Sequence, residues 1–357
     1  VITSARYLSR TFISRFGLLL LAFVVLFEIF DMMATGDQVI SRNDSILALF
    51  RYSALRIPEI MVQSLPFSVL LAALLTLAGL AQNNEIVVLK SVGISFFQLL
   101  AMLTPSALAI GVGHFVLADQ VVPHTAPRAA LLLEPENRAG NSDHQDDEAN
   151  AGIWLRDGRA VVSMERASRD GRHAENVSVF ERDDKGKLTS IMRAHAARFD
   201  NGRWTLQNVR ILVPGELERD VPDMQWTTGL RPAQLSSLAA HPSVLSIKQI
   251  LRFIHKPEIG ARPVHVYATW LQQRISLLLK PLLMILLAAP AANLTRRQAG
   301  MAGTLGYGIA AGFAYFVADG LGLAFGEAGK LPALVAAWVP GLIFAAFGGF
   351  IVLQVER

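Results

Sequence analysis

Hydrophobic positions crowd both ends of this chain and thin out in its middle. Residues 1–122 are largely apolar, 123–262 are polar and charged, and 263–357 turn apolar again. No Asp, Glu, Lys or Arg interrupts 60–84, 91–118 or 331–355. Each run exceeds the roughly 20 apolar residues that cross a hydrocarbon core. The run 301–318 is equally free of charge and continues to Phe325 past Asp319. A shorter run, 281–295, is extended beyond Lys280 by Leu277 to Leu279. The first span reads from Phe16 to Ala34 and carries Glu28 and Asp31. It outruns the roughly 7–15 residues of a signal-peptide core, so a retained span is expected. The pattern predicts six membrane helices, three on each side of an insert.

The periodicity changes in the insert. Residues 136–150 are acidic, polar and patternless, the signature of a mobile loop. Short strand signals then flank Asp157-Gly158 and Asn201-Gly202, both hairpin dipeptides. Val177 and Val179 alternate, as do Trp204 and Leu206, and Val209, Ile211 and Val213. Several short strands separated by turns suggest a sandwich or jelly roll. Ile247, Ile250, Leu251 and Ile254 fall at helical spacing and lead back toward the membrane. The expected fold is an α-helical membrane protein with six transmembrane helices (3+3) and an inserted all-β, jelly-roll-like domain. Its parts are 1–122 with spans one to three, 123–262 with the β domain and return segment, and 263–357 with spans four to six. Such a β domain serves as a spacer, a receptor or a lipid-carrying groove, and periodicity does not choose among them.

Charge adds orientation. The N-terminal segment carries Arg6, Arg10 and Arg15 without an acid, and Arg296 and Arg297 follow span four. The loops on the other side mix signs. The basic excess marks the cytoplasmic face, which puts both termini inside and the β domain outside, in the periplasm of a Gram-negative cell. The net charge of +4 is explained by these basic loops without nucleic acid. The chain has no cysteine, which excludes a disulfide framework and thiolate metal sites.

Catalytic signatures are missing. There is no phosphate-cradling glycine loop, no His-Glu-x-x-His pair and no Gly-x-Ser-x-Gly elbow. The chain is expected to be no enzyme and to need no cofactor of its own. Polar residues inside apolar spans are costly and therefore candidates for function. Glu28 and Asp31 fit either the interface or a polar lumen. Asp319, near Tyr315, fits a buried hydrogen bond or interhelical pair. Lys280 is expected to snorkel to the inner headgroups. His114 fits a helix–helix hydrogen bond. Gly300, Gly303, Gly306, Gly308 and Gly312 permit close helix packing, including at a subunit interface.

The connector after span two, AQNNEIVVLKSVGIS at 81–95, is the sharpest local feature. Asn83 or Asn84 suits a helix N-cap. Glu85 falls in the first turn, where a carboxylate suits the dipole. Ile86, Val87, Leu89 and Val92 supply an apolar face, and Gly93 suits the end. A helix near 83–93 either docks in a groove of a cytoplasmic partner, with Glu85 meeting an arginine there, or rests on the headgroups as an ordinary connector.

In order along the chain, these strings resemble the LptF/LptG permeases of the lipopolysaccharide-export ABC transporter. AQNNEIVVLKSVG resembles the connector between spans two and three, and VVPHTAPRA the exit from span three. GIWLRDGRAVVSME resembles the first hairpin of the β domain, and LRPAQL followed by LSI the return segment. YFVADGLGLAFGEAG resembles span five, with Asp319 at the acidic position. GKLPALVAAWVPGLIF is most similar to the LptG branch.

The resemblance implies a partner set and a mechanism. An LptF-like paralogue would enclose a lipopolysaccharide cavity with this chain. Two copies of an LptB-like ATPase, holding ATP and Mg, would dock on the two permeases, on this one at the coupling helix through Glu85, Asn84, Ile86 and Leu89. An LptC-like single-span protein would accept the lipid. Asp31, Arg42, Phe67 and Leu70 are the candidate cavity residues, and Gly306, Tyr315 and Asp319 the candidate interhelical interface. One departure stands out. Asp31 is followed by Met32, Met33, Ala34 and Thr35 instead of basic residues, so Arg42 is the nearest cation downstream. Two alternatives remain beside the exporter: a mechanotransmitting ABC subunit, and a membrane-anchored scaffold or receptor.

Overall fold

The computed structural model describes residues 2–43, 46–132, 153–157, 160–168, 171–183, 188–200, 202–213, 218–232, 235, 241–256, 262–290 and 300–356. The patternless segment 136–150 lies outside them. Two compact units are present. One comprises Val1–Asp37, Ser53–Val122 and Ala268–Arg357; the other comprises Gln38–Tyr52 and Pro123–Tyr267.

The first unit is helical. Helix α1 (Ile2–Asn43) and helix α2 (Ile46–Gln82) cover 35–43 and 46–55, where the mixed charges of Asp37, Arg42 and Arg51 suggest a loop. The short α3 (Glu85–Ser91) leads into α4 (Phe96–Val116), started by a capping box between Ser95 and Gln98. A π segment, Leu117–Val121, then passes into α5 (Val122–Leu131). Pro123 follows directly and lacks the N–H that would continue the regular ladder. The buried Arg274 donates to the Ala118 carbonyl exposed by this irregularity.

Among the described residues, five helices are long and apolar enough to cross a membrane. A further pair, α7 (Val264–Ser276) and α8 (Lys280–Ala288), meets that test jointly but bends by 58° at the break. Backbone bonds from Leu277, Leu278 and Leu279 reach back only three residues, and Pro281 removes the next donor. The fourth apolar stretch is therefore entered earlier than its hydropathy suggests. Helices α9 (Gly300–Glu327) and α10 (Ala333–Glu356) complete the set. Helix α2 is the most enclosed, with Ala72, Ala73, Leu74 and Leu77 fully buried. Helix α1 stays almost wholly exposed along its apolar face, at Leu18, Leu21, Val25, Phe30 and Met33.

The second unit is built on one antiparallel sheet. Its strands are β1 (Ile153–Asp157), β2 (Ala160–Met164), β3 (Arg166–Ala167), β4 (His173–Arg182), β5 (Leu188–Asp200), β6 (Arg203–Leu212) and β7 (Arg219–Trp226). The order is β1-β2-β4-β5-β6-β7, with β3 also on β4. The described strands thus form a meander, where the sequence suggests a two-sheet jelly roll. Apart from β3, which shares β4 with β2, each strand pairs with the strand before it. Asp157 pairs with Ala160, and Asp200 with Arg203 around Gly202 at φ 81°. Asn176 and Asn208 take left-handed backbone within β4 and β6, a conformation asparagine adopts more readily than most residues. One face is apolar: Val162, Val177, Val179, Ala194, Leu206 and Val209 are buried. Beyond the sheet, α6 (Ile247–His255) starts at Ser246 with a capping box from Gln249, on the predicted periodicity.

Candidate functional site

Three polar features stand out in the helical unit. The first joins α1 and α2. Arg56 Nε lies 3.4 Å from the Asp31 carboxylate, and its Nη1 reaches Glu59 one turn further along α2. The cation beside Asp31 therefore comes from the next helix. The sequence offers one local signal for it, an arginine followed three residues later by an acid at helical spacing. Arg42 falls within α1, but its side chain lies outside the described residues. Glu28 buries both carboxylate oxygens without a hydrogen-bond partner among the described residues, a costly arrangement for an acid.

The second feature is the connector. Asn84 occupies the N-cap of α3 in left-handed backbone, φ 57°, and its side chain makes no capping bond. Its carbonyl instead receives the Val87 and Val88 amides, and Asn83 Nδ2 donates to Glu85. Gly93, at φ 87°, closes the helix through Gly93 N to Lys90 O and Ile94 N to Leu89 O, a Schellman end. The apolar positions divide in two. Ile86 is buried and Leu89 packs on the same core, so neither faces outward. Val87, Val88 and Val92 are the exposed set, with Val92 75% accessible. The outward apolar face of the helix is therefore carried by the valines, not by Ile86 and Leu89.

The third feature is a buried charge cluster. Lys280 Nζ lies 2.7 Å from Asp319 Oδ2, and Gln273 Nε2 donates to the same oxygen at 2.9 Å. Tyr315 Oη stands 3.5 Å from Oδ1, one turn back on α9. Lys280 thus does not snorkel. It starts α8 immediately after the bend, facing inward, and is only 8% exposed. A buried lysine needs a paired carboxylate, because desolvation penalises either ion alone. His114, also buried, sets Nε2 3.1 Å from the Val62 carbonyl, a helix–helix bond.

The remaining candidates scatter. Tyr315 and Asp319 are buried inside this chain's own bundle, while Gly306 is exposed with open space around it. Leu70 is buried against Gly312, and Phe67 stacks on Phe316 with centroids 3.8 Å apart. Both are engaged in packing within this chain. Among the described residues, no group of three metal-ligating side chains is present.

An apolar helical unit in two stretches, an inserted antiparallel sheet and an exposed connector helix fit a membrane permease. The model of the lipopolysaccharide export system permease LptF/LptG family matches residues 6–354. The lipopolysaccharide export system permease protein LptG of Haemophilus influenzae is 23% identical over 347 residues, covering 96% of this chain and 96% of the relative. The chain belongs to the LptF/LptG family of lipopolysaccharide export permeases and is LptG-like within it.

Proposed function

We propose that this chain is one of two permease subunits of an ABC transporter that extracts lipopolysaccharide from the inner membrane and hands it to a periplasmic bridge. The observation that supports this most directly is α3. A short connector presents Glu85 beside exposed Val87, Val88 and Val92, in a chain whose family is an export permease. An exposed apolar patch beside a carboxylate suits the groove of a separate protein. That protein is an LptB-like ATPase, present in two copies and holding the ATP and Mg that this chain has no motif to bind. The α7–α8 pair counts as one bent span, giving six. Both termini lie in the cytoplasm and the β domain in the periplasm.

In this reading an LptF-like paralogue closes the lipid cavity with the exposed face of α1, and an LptC-like single-span protein receives the lipid. Arg56 and Arg42 face anionic groups of the lipid near Asp31. Phe67 and Leu70 meet its acyl chains once the helices rearrange. The β domain offers the apolar face of its sheet on the outward path. Nucleotide state drives this by favouring one helix arrangement over another.

Purification from native membranes in mild detergent, with mass spectrometry of bound proteins and lipids, tests the assignment. A second permease, an ATPase and lipopolysaccharide are expected together. An ATPase without lipopolysaccharide would point to mechanotransmission, and neither would point to a scaffold.

A further inference from the structure

Polar ties sort the membrane helices into two sets. In a bilayer, apolar helix–helix contacts exchange for lipid contacts at little cost, so polar bonds decide which helices travel together. Helices α7 to α10 are bound to one another by them. Trp270 Nε1 donates to Glu327, and Trp338 Nε1 to Gln272 at 3.0 Å. The Asp319 carboxylate receives Gln273 from α7 and Lys280 from α8. One acid on α9 thereby holds both arms of the 58° bend. The bend is a fixed corner, not a hinge.

Helices α1 and α2 form the other set. Arg15 Nη1 donates to the Leu75 carbonyl at 2.6 Å near one end, and Arg56 meets Asp31 near the other. Helix α4, with the π segment that continues it, is tied to both sets, through His114 to Val62, Ser9 to the Met102 carbonyl, and Arg274 to the Ala118 carbonyl.

The contact between α2 and α9 has a different character. Leu74 sits against Gly308, Leu70 against Gly312, and Phe67 on Phe316. These contacts are apolar. The buried hydroxyls of α2 that lie nearby, Ser64, Ser68 and Thr76, donate to carbonyls of their own helix.

We propose that α7 to α10 move as one body positioned by Lys280–Asp319, that α1 and α2 move as another, and that the two part along the Leu70/Leu74–Gly312/Gly308 seam as the transporter cycles. Helix α4 is the pivot. Among the described residues no polar bond crosses the seam, whereas opening the corner at 277–279 would strand a buried lysine and a buried aspartate. The inference rests on the transport reading for what drives the motion.

The chain has no native cysteine, so disulfide pairs can be placed without background. Leu74→Cys with Gly308→Cys crosses the seam. Replacing Leu74 removes the methyl that a Cβ at 308 would meet at 2.0 Å. Leu286→Cys with Gly348→Cys lies inside the body, where a Cβ at 348 falls 3.0 Å from Leu286 Cγ. Leu70→Cys with Gly312→Cys is a second seam pair should the first fold poorly.

Disulfide yield is measured in the full complex, without nucleotide and with ATP plus vanadate. The seam yield is expected to change by about threefold or more between the two states, and the body yield to stay constant. A constant seam yield, or a body yield that changes as much, overturns the division. Asp319→Asn should make the body yield nucleotide-sensitive, and the charge swap Lys280→Asp with Asp319→Lys should restore it. An unaffected body yield in Asp319→Asn removes the pair from its positioning role. Lipid release by the unmodified complex is scored separately. Its absence would count against the transport reading, while the disulfide yields still decide the seam.

Discussion

Arg56 reaches from the second helix to Asp31 on the first, with Nε 3.4 Å from the carboxylate, while Glu59 holds the same guanidinium through Nη1. This places a cation beside the acid where the adjacent sequence supplies none. Its side chain remains 30% accessible, so an anionic ligand can compete for it. Arg56→Glu is expected to lower the lipopolysaccharide that co-purifies by about ten- to a hundredfold, the equivalent of one charge-assisted hydrogen bond of roughly 1.5–3 kcal/mol. Arg56→Lys, which keeps the charge without the planar fork, should fall in between. Retention equal to wild type in Arg56→Glu, with a loss only in Arg42→Glu, would transfer the role to Arg42.

The division of α3 into an inner and an outer face predicts two kinds of variant. Val88→Asp changes an exposed residue and should leave thermal stability unaltered while reducing the ATPase bound. Glu85→Ala should do the same or uncouple hydrolysis from lipid release. Ile86→Ala removes a buried side chain and should cost about 2–5 kcal/mol of stability through cavity formation. Thermal unfolding of the purified chain, set beside pulldown of the ATPase, separates the two classes. An Ile86→Ala protein that unfolds like wild type, or a Val88→Asp protein that binds ATPase normally, would reverse the assignment of faces.

What the sequence revealed and what it hid have the same physical origin. The long apolar runs, the hairpins around 157–160 and 200–203, and α6 are local: their periodicity and turn residues specify them without tertiary help. The capping box at Ser95 was equally local but is easily lost inside an apolar stretch. Pairings between distant positions were not legible. Nothing in the order of residues brings Lys280 to Asp319 or Arg56 to Asp31. Lys280 reads as a snorkelling residue until the break at 277–279 turns it inward. The apolar residues of α3 form a single group by composition, and only packing separates Ile86 from Val88. The run of helix through 35–43 was obscured by its polar residues, which resemble a loop.

Glycines that resemble one another in sequence differ in what surrounds them. A methyl at Gly111 would sit 2.3 Å from the Leu278 carbonyl oxygen, at the backbone of the bend. That oxygen belongs to rigid main chain, so Gly111→Ala should destabilise the fold by about 1–3 kcal/mol through overpacking. Gly306 has nothing within 4 Å. Gly306→Ala should be neutral in the isolated chain, or stabilise it by up to about 1 kcal/mol through helix propensity. If Gly306 meets the paralogous permease, the same variant should weaken their co-purification. Melting temperatures of the isolated chain and recovery of the pair read these effects independently.

The Lys280–Asp319 pair predicts a non-additive result. Lys280→Met alone leaves a buried carboxylate facing Gln273 and Tyr315 without a cation among the described residues, and should cost about 3–5 kcal/mol. Asp319→Leu alone leaves a buried ammonium and should cost a similar amount. Combining Lys280→Met with Asp319→Leu removes both desolvated charges, so the double variant should recover most of the stability lost by either single variant. Thermal unfolding of the four proteins in one detergent measures the coupling directly. Transport should not recover with stability. The apolar pair packs α8 against α9 but supplies no directional bond linking Gln273, Lys280 and α9 through one carboxylate. A double variant that regains both stability and lipid release per ATP would show that the pair contributes packing alone.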